Sequence, residues 1–231
     1  MSDIIGLLPC AGNAKRLFNL PKFMLPLHNK NESLITNWIY TLIEKFNVSR
    51  IIIPVSSTTN IFVNHINFNE TIQKKIIIKN IGYTKTMNET IIKALKDEQY
   101  KILIMAMPDT YVDYIDNTLL NNMIYDNKIN IGAYLWEIRK SQLGKIGQCS
   151  INENYITNII DKDETCNYKY GWGVIIFKKE FEKYILDVDE HPGYSMKNYI
   201  KDELKILYKI CDGNYFDCGT IGGYKEYLLL H

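Results

Sequence analysis

The sequence lacks nearly everything that would mark a secreted, membrane-bound or polyanion-binding chain. Lys plus Arg (27) almost cancels Asp plus Glu (26), leaving a net charge of +1 over 231 residues. A chain with no excess of one sign makes no long-range field that would gather nucleic acid or anionic lipid. No apolar run approaches the roughly twenty residues that a bilayer span needs, and the amino terminus has neither the basic stretch nor the apolar core of a signal peptide. The five cysteines (Cys10, Cys149, Cys166, Cys211 and Cys218) are odd in number and include no C-x-x-C pair, which argues against a disulfide framework and a structural zinc site. The expectation is a soluble, cytoplasmic protein in a reducing compartment, with no nucleic-acid or membrane partner. There is no Pro/Gly/Ser-rich linker, internal repeat or low-complexity block, so residues 1–231 are expected to form one domain.

What the chain does have is apolar content, 46%, arranged in short β-branched runs. Residues 4–9, 50–55, 74–79, 100–105, 129–136 and 173–177 read as buried strands. Between some of them the spacing turns helical, as in the stripe Leu34, Trp38, Ile39, Leu42, Ile43, Phe46 and the shorter segment 89–96. Strand alternating with helix implies right-handed crossovers and a mainly parallel sheet. Residues 144–161 break that rhythm with two short strands around Asn152-Glu153-Asn154, an antiparallel hairpin insertion. Helical patterns return at 179–186 and 195–207, and 224–230 is apolar. The fold expected is α/β, a single-domain three-layer αβα arrangement with a mainly parallel, Rossmann-like sheet and an antiparallel hairpin insertion.

The first strand runs into Pro9-Cys10-Ala11-Gly12-Asn13-Ala14-Lys15-Arg16-Leu17, with Pro21-Lys22 behind it. The carboxyl edge of an open parallel sheet is where ligands bind, and the small pair Ala11-Gly12 lets backbone amides approach an anion. The Arg16 guanidinium can fork onto phosphate oxygens and Lys22 can add a point charge. The longer string, Leu8-Pro9-Cys10-Ala11-Gly12 to Arg16-Leu17 and then Pro21-Lys22 to Leu25-Pro26-Leu27, resembles the signature of the sugar-phosphate nucleotidyltransferases, among them the glucose-1-phosphate thymidylyltransferases. Their usual pattern is A-G-x-G-x-R-L followed by P-K-x-L-L-P. The resemblance implies that Ala11, Gly12, Asn13, Ala14, Lys15 and Arg16 wrap a nucleoside triphosphate, with Arg16 and Lys22 stabilising the departing pyrophosphate. Ala14 stands where a second glycine is usual, which a negative φ accommodates.

Nucleotidyl transfer concentrates negative charge on an α-phosphate, so the resemblance also implies Mg²⁺, held by one or two carboxylates. Asp109, after Ala106-Met107-Pro108, matches a G-D position with proline in place of glycine. Asp217, in Tyr215-Phe216-Asp217-Cys218-Gly219-Thr220, matches W-x-D-x-G-T. Both are expected metal ligands. Ile146-Gly147-Gln148-Cys149 and the later Asp161-Lys162 resemble Y-G-V-V and I-x-E-K-P, which implies an acceptor site with Gly147 and Asp161 at the acceptor and Lys162 on its phosphate. Trp172, within Tyr170 to Phe177, aligns with N-x-G-x-Y-x-F and is expected on the wall of that site or in the core. The base is expected near Thr86 and Met87, before a short helix whose first amides could meet base edges or phosphate. A capping box, Thr86-x-x-Glu89, explains the same residues without a ligand.

Together these resemblances imply a Mg²⁺-dependent nucleotidyltransferase domain over 1–231. It would move a nucleoside monophosphate from an NTP to a small phosphorylated acceptor, foremost a sugar 1-phosphate, giving a nucleotide-sugar and pyrophosphate. The alternatives are a cytidylyltransferase for a non-sugar ester of the phosphocholine kind, and a catalytically silent nucleotide-sugar-binding subunit. The partners expected are the NTP and the acceptor, with self-association into a homo-oligomer left open.

Overall fold

The computed structural model of the chain describes residues 3–12, 20–28, 32–188 and 190–231. In chain order, β1 (Ile4–Leu7) is followed by α1 (Leu34–Glu44), β2 (Arg50–Val55), α2 (Ser57–Asn64), α3 (Glu70–Gln73), β3 (Ile76–Asn80), α4 (Met87–Leu95), β4 (Ile102–Ala106), β5 (Thr110–Val112), α5 (Thr118–Tyr125) and β6 (Ile131–Glu137). The second half runs β7 (Gly147–Asn152), β8 (Tyr155–Asp161), β9 (Tyr170–Lys178), α6 (Glu182–Leu186), α7 (Pro192–Lys201), β10 (Ile206–Ile210), β11 (Tyr215–Asp217) and α8 (Ile221–Leu230).

Nine strands form one sheet in the order β3-β2-β1-β4-β9-β6-β10-β8-β7. Strands covered on both faces need continuous apolar runs, and every residue of β1 and β4 is buried. One apolar layer packs α1 and α5 on one face of the sheet, through Ile35, Trp38, Ile39, Leu119 and Met123. The opposite layer packs α4, α6 and α7, through Ile91, Ala94, Ile185, Met196 and Tyr199. This is the expected three-layer α/β arrangement. Parallel pairing holds across β3-β2-β1-β4 and again between β6 and β10. Strand β9 runs antiparallel between β4 and β6. Among the described residues no α-helix lies between β6 and β9, so the chain lacks the crossover that a parallel neighbour requires.

Local chemistry accounts for several element boundaries. Ser33 caps α1 with a reciprocal Ser33/Thr36 box, and Ser56 does the same for α2 with Thr59. The hairpin of β7 and β8 turns through Glu153-Asn154, with Glu153 in the left-handed region at φ 49°. The helical pattern over 195–207 stops early, since α7 ends at Lys201 and Ile206 opens strand β10. Glu203 takes a left-handed φ of 60° between them. Once the helix has stopped there, Ile206-Leu207-Tyr208 follows the strand preference of β-branched and aromatic residues. No described helix is long and apolar enough to cross a membrane.

Candidate functional site

Strands β1, β2 and β4 run parallel, so their carboxyl ends open on one edge of the sheet, where an α/β fold binds ligands. A cleft of about 520 Å³ lies there, and Ala11, Gly12, Lys22, Thr86, Met87 and Asp109 line it. Its size falls within the usual range for small-molecule sites. Segments far apart in sequence are thus brought to one cavity. Asn13, Ala14, Lys15 and Arg16 lie outside the described residues.

The two acidic candidates meet through a feature that sequence reasoning did not anticipate, a two-stranded sheet of β5 and β11. Its antiparallel register pairs Asp217 with Thr110, so Asp217 stands next to Asp109. Gly219 lies between their side chains. A Cβ on Gly219 would be 2.6 Å from Asp109 Oδ2, 2.7 Å from Asp217 Oδ1 and 3.2 Å from Lys22 Nζ. Lys22 opens a short 3-10 turn after Pro21, with Phe23 buried beside it. That turn holds Lys22 Nζ 3.9 Å from Asp109 Oδ2, at 16% and 32% side-chain exposure respectively. The Gly219 N–H donates to Asp217 Oδ1 at 2.9 Å. Two carboxylate oxygens drawn so close around one glycine that a methyl would not fit suit a small, hard cation that completes its shell with phosphate and water oxygens, as Mg²⁺ does. Among the described residues no group of three or more potential ligands gathers.

The remaining acids around this pair are held neutral. Burial, reinforced by the Asp109 charge, pushes the Cys10 thiol well above its ordinary range. Burial followed by the charges of Asp217 and Asp109 does the same to the Tyr215 hydroxyl. Burial followed by Asp109 and Asp217 raises the Cys218 thiol too. A thiol must ionise to act as a nucleophile, and burial beside these carboxylates disfavours that for Cys10 and Cys218.

At the other wall, Thr86 caps α4 by accepting the Glu89 N–H at 3.1 Å, while the Glu89 carboxylate accepts the Lys85 N–H. The expectation that the first amides of this helix are free for a base or a phosphate is corrected. Met87 N–H and Asn88 N–H both donate to the Glu190 carbonyl, at 3.1 and 3.2 Å. With the Glu89 N–H held by Thr86 as well, the first three amides of the helix are engaged and offer an anion no free N–H. The cap Thr86 and, on α4, Met87 and Thr90 line the cleft.

The four acceptor candidates also come together. Gly147 pairs with Asp161 across β7 and β8, and a Cβ on Gly147 would stand 2.2 Å from Trp172 Nε1. Lys162 follows with a left-handed φ of 51°, its amine 4.0 Å from Asp161 Oδ2 and 61% exposed against 9% for the Asp161 side chain. Trp172 Nε1 and Asp161 Oδ1 are buried and have no hydrogen-bond partner among the described residues. Each such group costs about 1–3 kcal/mol while it stays unmet. Sequence reasoning missed His191, whose ring packs on Trp172 at 5.2 Å between centroids. The signal for it was weak, a histidine before Pro192 at the start of a helix. Gly219 and Tyr215 were legible only as letters of the Asp217 motif, without a role of their own.

The chain has the fold of the sugar nucleotidyltransferases. Over 100% of this chain and 98% of the other, it is similar to a UDP-glucose pyrophosphorylase complexed with UDP-glucose, with a TM-score of 0.80 and 16% identity. A UTP-bound UGPase from Acinetobacter baumannii gives 0.78 and 14% over 100% and 93% of the two chains. The inositol-1-phosphate CTP transferase from T. maritima gives 0.72 and 14% over 98% and 94%. No family model matches the sequence, and no curated protein matches it either. At these identities the likeness is one of fold, and function has to be argued from the site.

Proposed function

We propose that the protein transfers a nucleoside monophosphate from an NTP to a small phosphorylated acceptor, foremost a sugar 1-phosphate, with release of pyrophosphate. The observation that carries this reading is the convergence of Lys22 and Asp109, which line the cleft, with Asp217 on Gly219. In such a reaction an acceptor phosphate oxygen attacks the α-phosphorus, the bond from that phosphorus to the bridging oxygen breaks, and pyrophosphate leaves with the electron pair. No covalent enzyme intermediate is needed, in keeping with the protonated thiols of Cys10 and Cys218.

Asp109 and Asp217 would hold Mg²⁺, which would supply neutralisation of charge at the α-phosphate. Lys22 would place its ammonium on the triphosphate while Asp109 keeps it from swinging into solvent. The backbone at Ala11 and Gly12 would approach the phosphates, with Asn13, Ala14, Lys15 and Arg16 continuing the grip. Thr86 and Met87 would border the nucleoside. Gly147, Asp161, Lys162 and Trp172 would receive the acceptor, with the largely exposed Lys162 side chain turning from Asp161 to its phosphate.

The test is to incubate the protein with Mg²⁺, each NTP in turn and a panel of phosphorylated acceptors, and to follow pyrophosphate. Release that needs NTP, acceptor and metal together supports the reading. Tight NTP binding without release under any combination would overturn it in favour of a silent nucleotide-binding subunit.

A further inference from the structure

We infer that Arg139 is a positioning residue for Asp217, because it fixes both segments that flank that carboxylate, strand β11 before it and helix α8 after it. That Asp217 serves a metal rests on the transfer reading above; its placement by Arg139 rests on geometry.

Strand β11 is paired on one side only, in a two-stranded sheet with β5. Antiparallel partners alternate between hydrogen-bonded and non-bonded pairs. The Asp113 N–H donates to the Asn214 carbonyl at 3.1 Å, so Tyr215, next along the strand, turns its backbone polar groups away from β5. A buried carbonyl on an open edge needs a donor, and the Gln142 side chain supplies one, its Nε2–H reaching the Tyr215 carbonyl at 2.6 Å. Gln142 is aimed by the turn that it ends. Its Oε1 accepts the Arg139 N–H at 3.0 Å, and its own N–H donates to the Arg139 carbonyl at 2.9 Å. The segment 139–142, which follows β6, thus stands where a third strand would.

From that turn the Arg139 side chain reaches both flanks of Asp217. Nη1 donates to Asn214 Oδ1 at 3.1 Å, and the guanidinium carbon lies 4.3 Å from the centre of the Phe216 ring, so the residues on either side of Tyr215 are held. Nε donates to Glu226 Oε1 at 2.9 Å, and Ser141 Oγ donates to the same oxygen at 2.8 Å. These two bonds tie down α8, whose first turn bears on Asp217: a Cβ on Gly223 would stand 1.9 Å from the Asp217 carbonyl oxygen. One guanidinium therefore sets the strand that leads into Asp217 and the helix that presses on it. It is largely shielded from solvent and does not line the cleft, so it acts through Asp217 and not on a substrate. A planar fork suits three fixed partners; a lysine could pair with Glu226 but could not also bond Asn214 and stack on Phe216.

The test compares the full-length protein with Arg139→Met, Arg139→Lys and Arg50→Met, the last removing an ion-paired arginine at the amino end of β2, away from the cleft. One readout is the Mg²⁺ concentration for half-maximal pyrophosphate release, taken with the KM for NTP at saturating Mg²⁺. The other is hydrogen exchange of the Gly219 amide in ¹⁵N-labelled protein without metal or substrate, which reports its bond to Asp217. Loss of a group that orients a metal ligand costs about tenfold or more in metal affinity. In Arg139→Met the Mg²⁺ midpoint is therefore expected to rise about tenfold, with KM for NTP unchanged and Gly219 exchanging faster. Arg139→Lys keeps the charge and should change in the same way; it carries the test alone if Arg139→Met does not fold. Arg50→Met should lower the melting temperature and move neither readout, a split that a merely structural arginine at position 139 would not give. Parent-like values of either readout in Arg139→Lys, or equal changes in Arg50→Met, overturn the inference. If the parent releases no pyrophosphate with any NTP and acceptor, the transfer reading fails and Gly219 exchange decides alone: acceleration in the Arg139 variants but not in Arg50→Met upholds the placement of Asp217, and its absence overturns it.

Discussion

Gly219 donates its backbone N–H to Asp217 Oδ1 at 2.9 Å, and the same residue, by having no side chain, leaves open the space that Asp217 shares with Asp109. Orientation of the carboxylate and room for what it would hold thus come from one position. Gly219→Ala would put a Cβ within 2.7 Å of both carboxylates, so one or both must swing away. A displacement of about 1 Å at a reacting centre can cost on the order of 100-fold in rate. The expected outcome is a loss of that order in Mg²⁺-dependent pyrophosphate release with an unchanged melting temperature. Full activity in the alanine variant would show that the space between the carboxylates is not used.

Asp217→Asn separates charge from shape at the same place. The amide oxygen can still accept the Gly219 N–H, so unfolding by urea should change little, while the affinity for a hard cation should drop because one of two anionic oxygens is gone. The measurement is the Mg²⁺ concentration for half-maximal activity. A midpoint that does not move would remove Asp217 from the metal site.

Much of this arrangement was legible in the sequence because it depends on local signals. The runs at β1, β2 and β4 are continuous and apolar, the α1 stripe is periodic, and Asn152-Glu153-Asn154 marks the hairpin. Asp109 was legible as the carboxylate that follows a buried strand. The β5–β11 pairing was not, since three residues such as Thr110-Tyr111-Val112 carry no period, and their partner lies about a hundred residues away. The same holds for the docking of Glu190 on α4, a backbone contact that leaves no mark on side-chain identity. Strand β10 was hidden because Ile206 and Leu207 extend the apolar spacing of α7, and the reversal at Glu203 depends on a backbone angle. Asp161 and Trp172 were singled out by motif. Their adjacency needed Gly147 between them in register, which the sequence alone does not specify.

Trp38 links the core to the Asp109 end of the cleft. Fully buried on α1, it donates Nε1–H to the Thr110 carbonyl at 2.8 Å, one residue beyond Asp109. Trp38→Phe keeps an aromatic ring but leaves that carbonyl without its donor. Unfolding by urea should then show a loss of about 1–3 kcal/mol, with activity reduced at saturating substrate because Asp109 is less firmly placed. An equally stable variant would mean that the carbonyl finds another donor.

Glu98 gives the fold a pH dependence whose sign can be stated. Burial raises its carboxyl, but hydrogen bonds and charge from Lys79 and Arg50 outweigh that, and the net shift is downward from the ordinary value of 4.5. Arg50 Nη2 stands 3.2 Å from it, and Arg50 also binds Asp3 at 2.9 Å. A folded-state pKa below the unfolded one means that the unfolded chain binds more protons as the pH falls. The contribution of Glu98 is therefore present above its unfolded pKa and is lost as the pH falls through its folded value. Glu98→Gln should destabilise the protein at pH 7 and converge with the parent chain in strongly acidic buffer. A constant stability difference across that range would show that the ion pairs contribute nothing.

Asn88 joins the two walls of the site, and the strength of that joint can be measured. Its side chain is fully buried on α4, and Nδ2 donates to the Val188 carbonyl at 2.6 Å and to Ser195 Oγ on α7 at 3.0 Å. Together with the Glu190 carbonyl on the first amides of α4, these bonds tie the α4 wall of the cleft to the segment that leads into His191. Asn88→Ala removes both side-chain bonds and should cost about 1–3 kcal/mol, whereas Ser195→Ala removes one of them. Because the two residues share a bond, their effects should be less than additive in a double-mutant cycle, by about 0.5 kcal/mol or more. Additivity within about 0.3 kcal/mol would mean that the bond carries no coupling, and that the two segments are joined through the Val188 and Glu190 carbonyls.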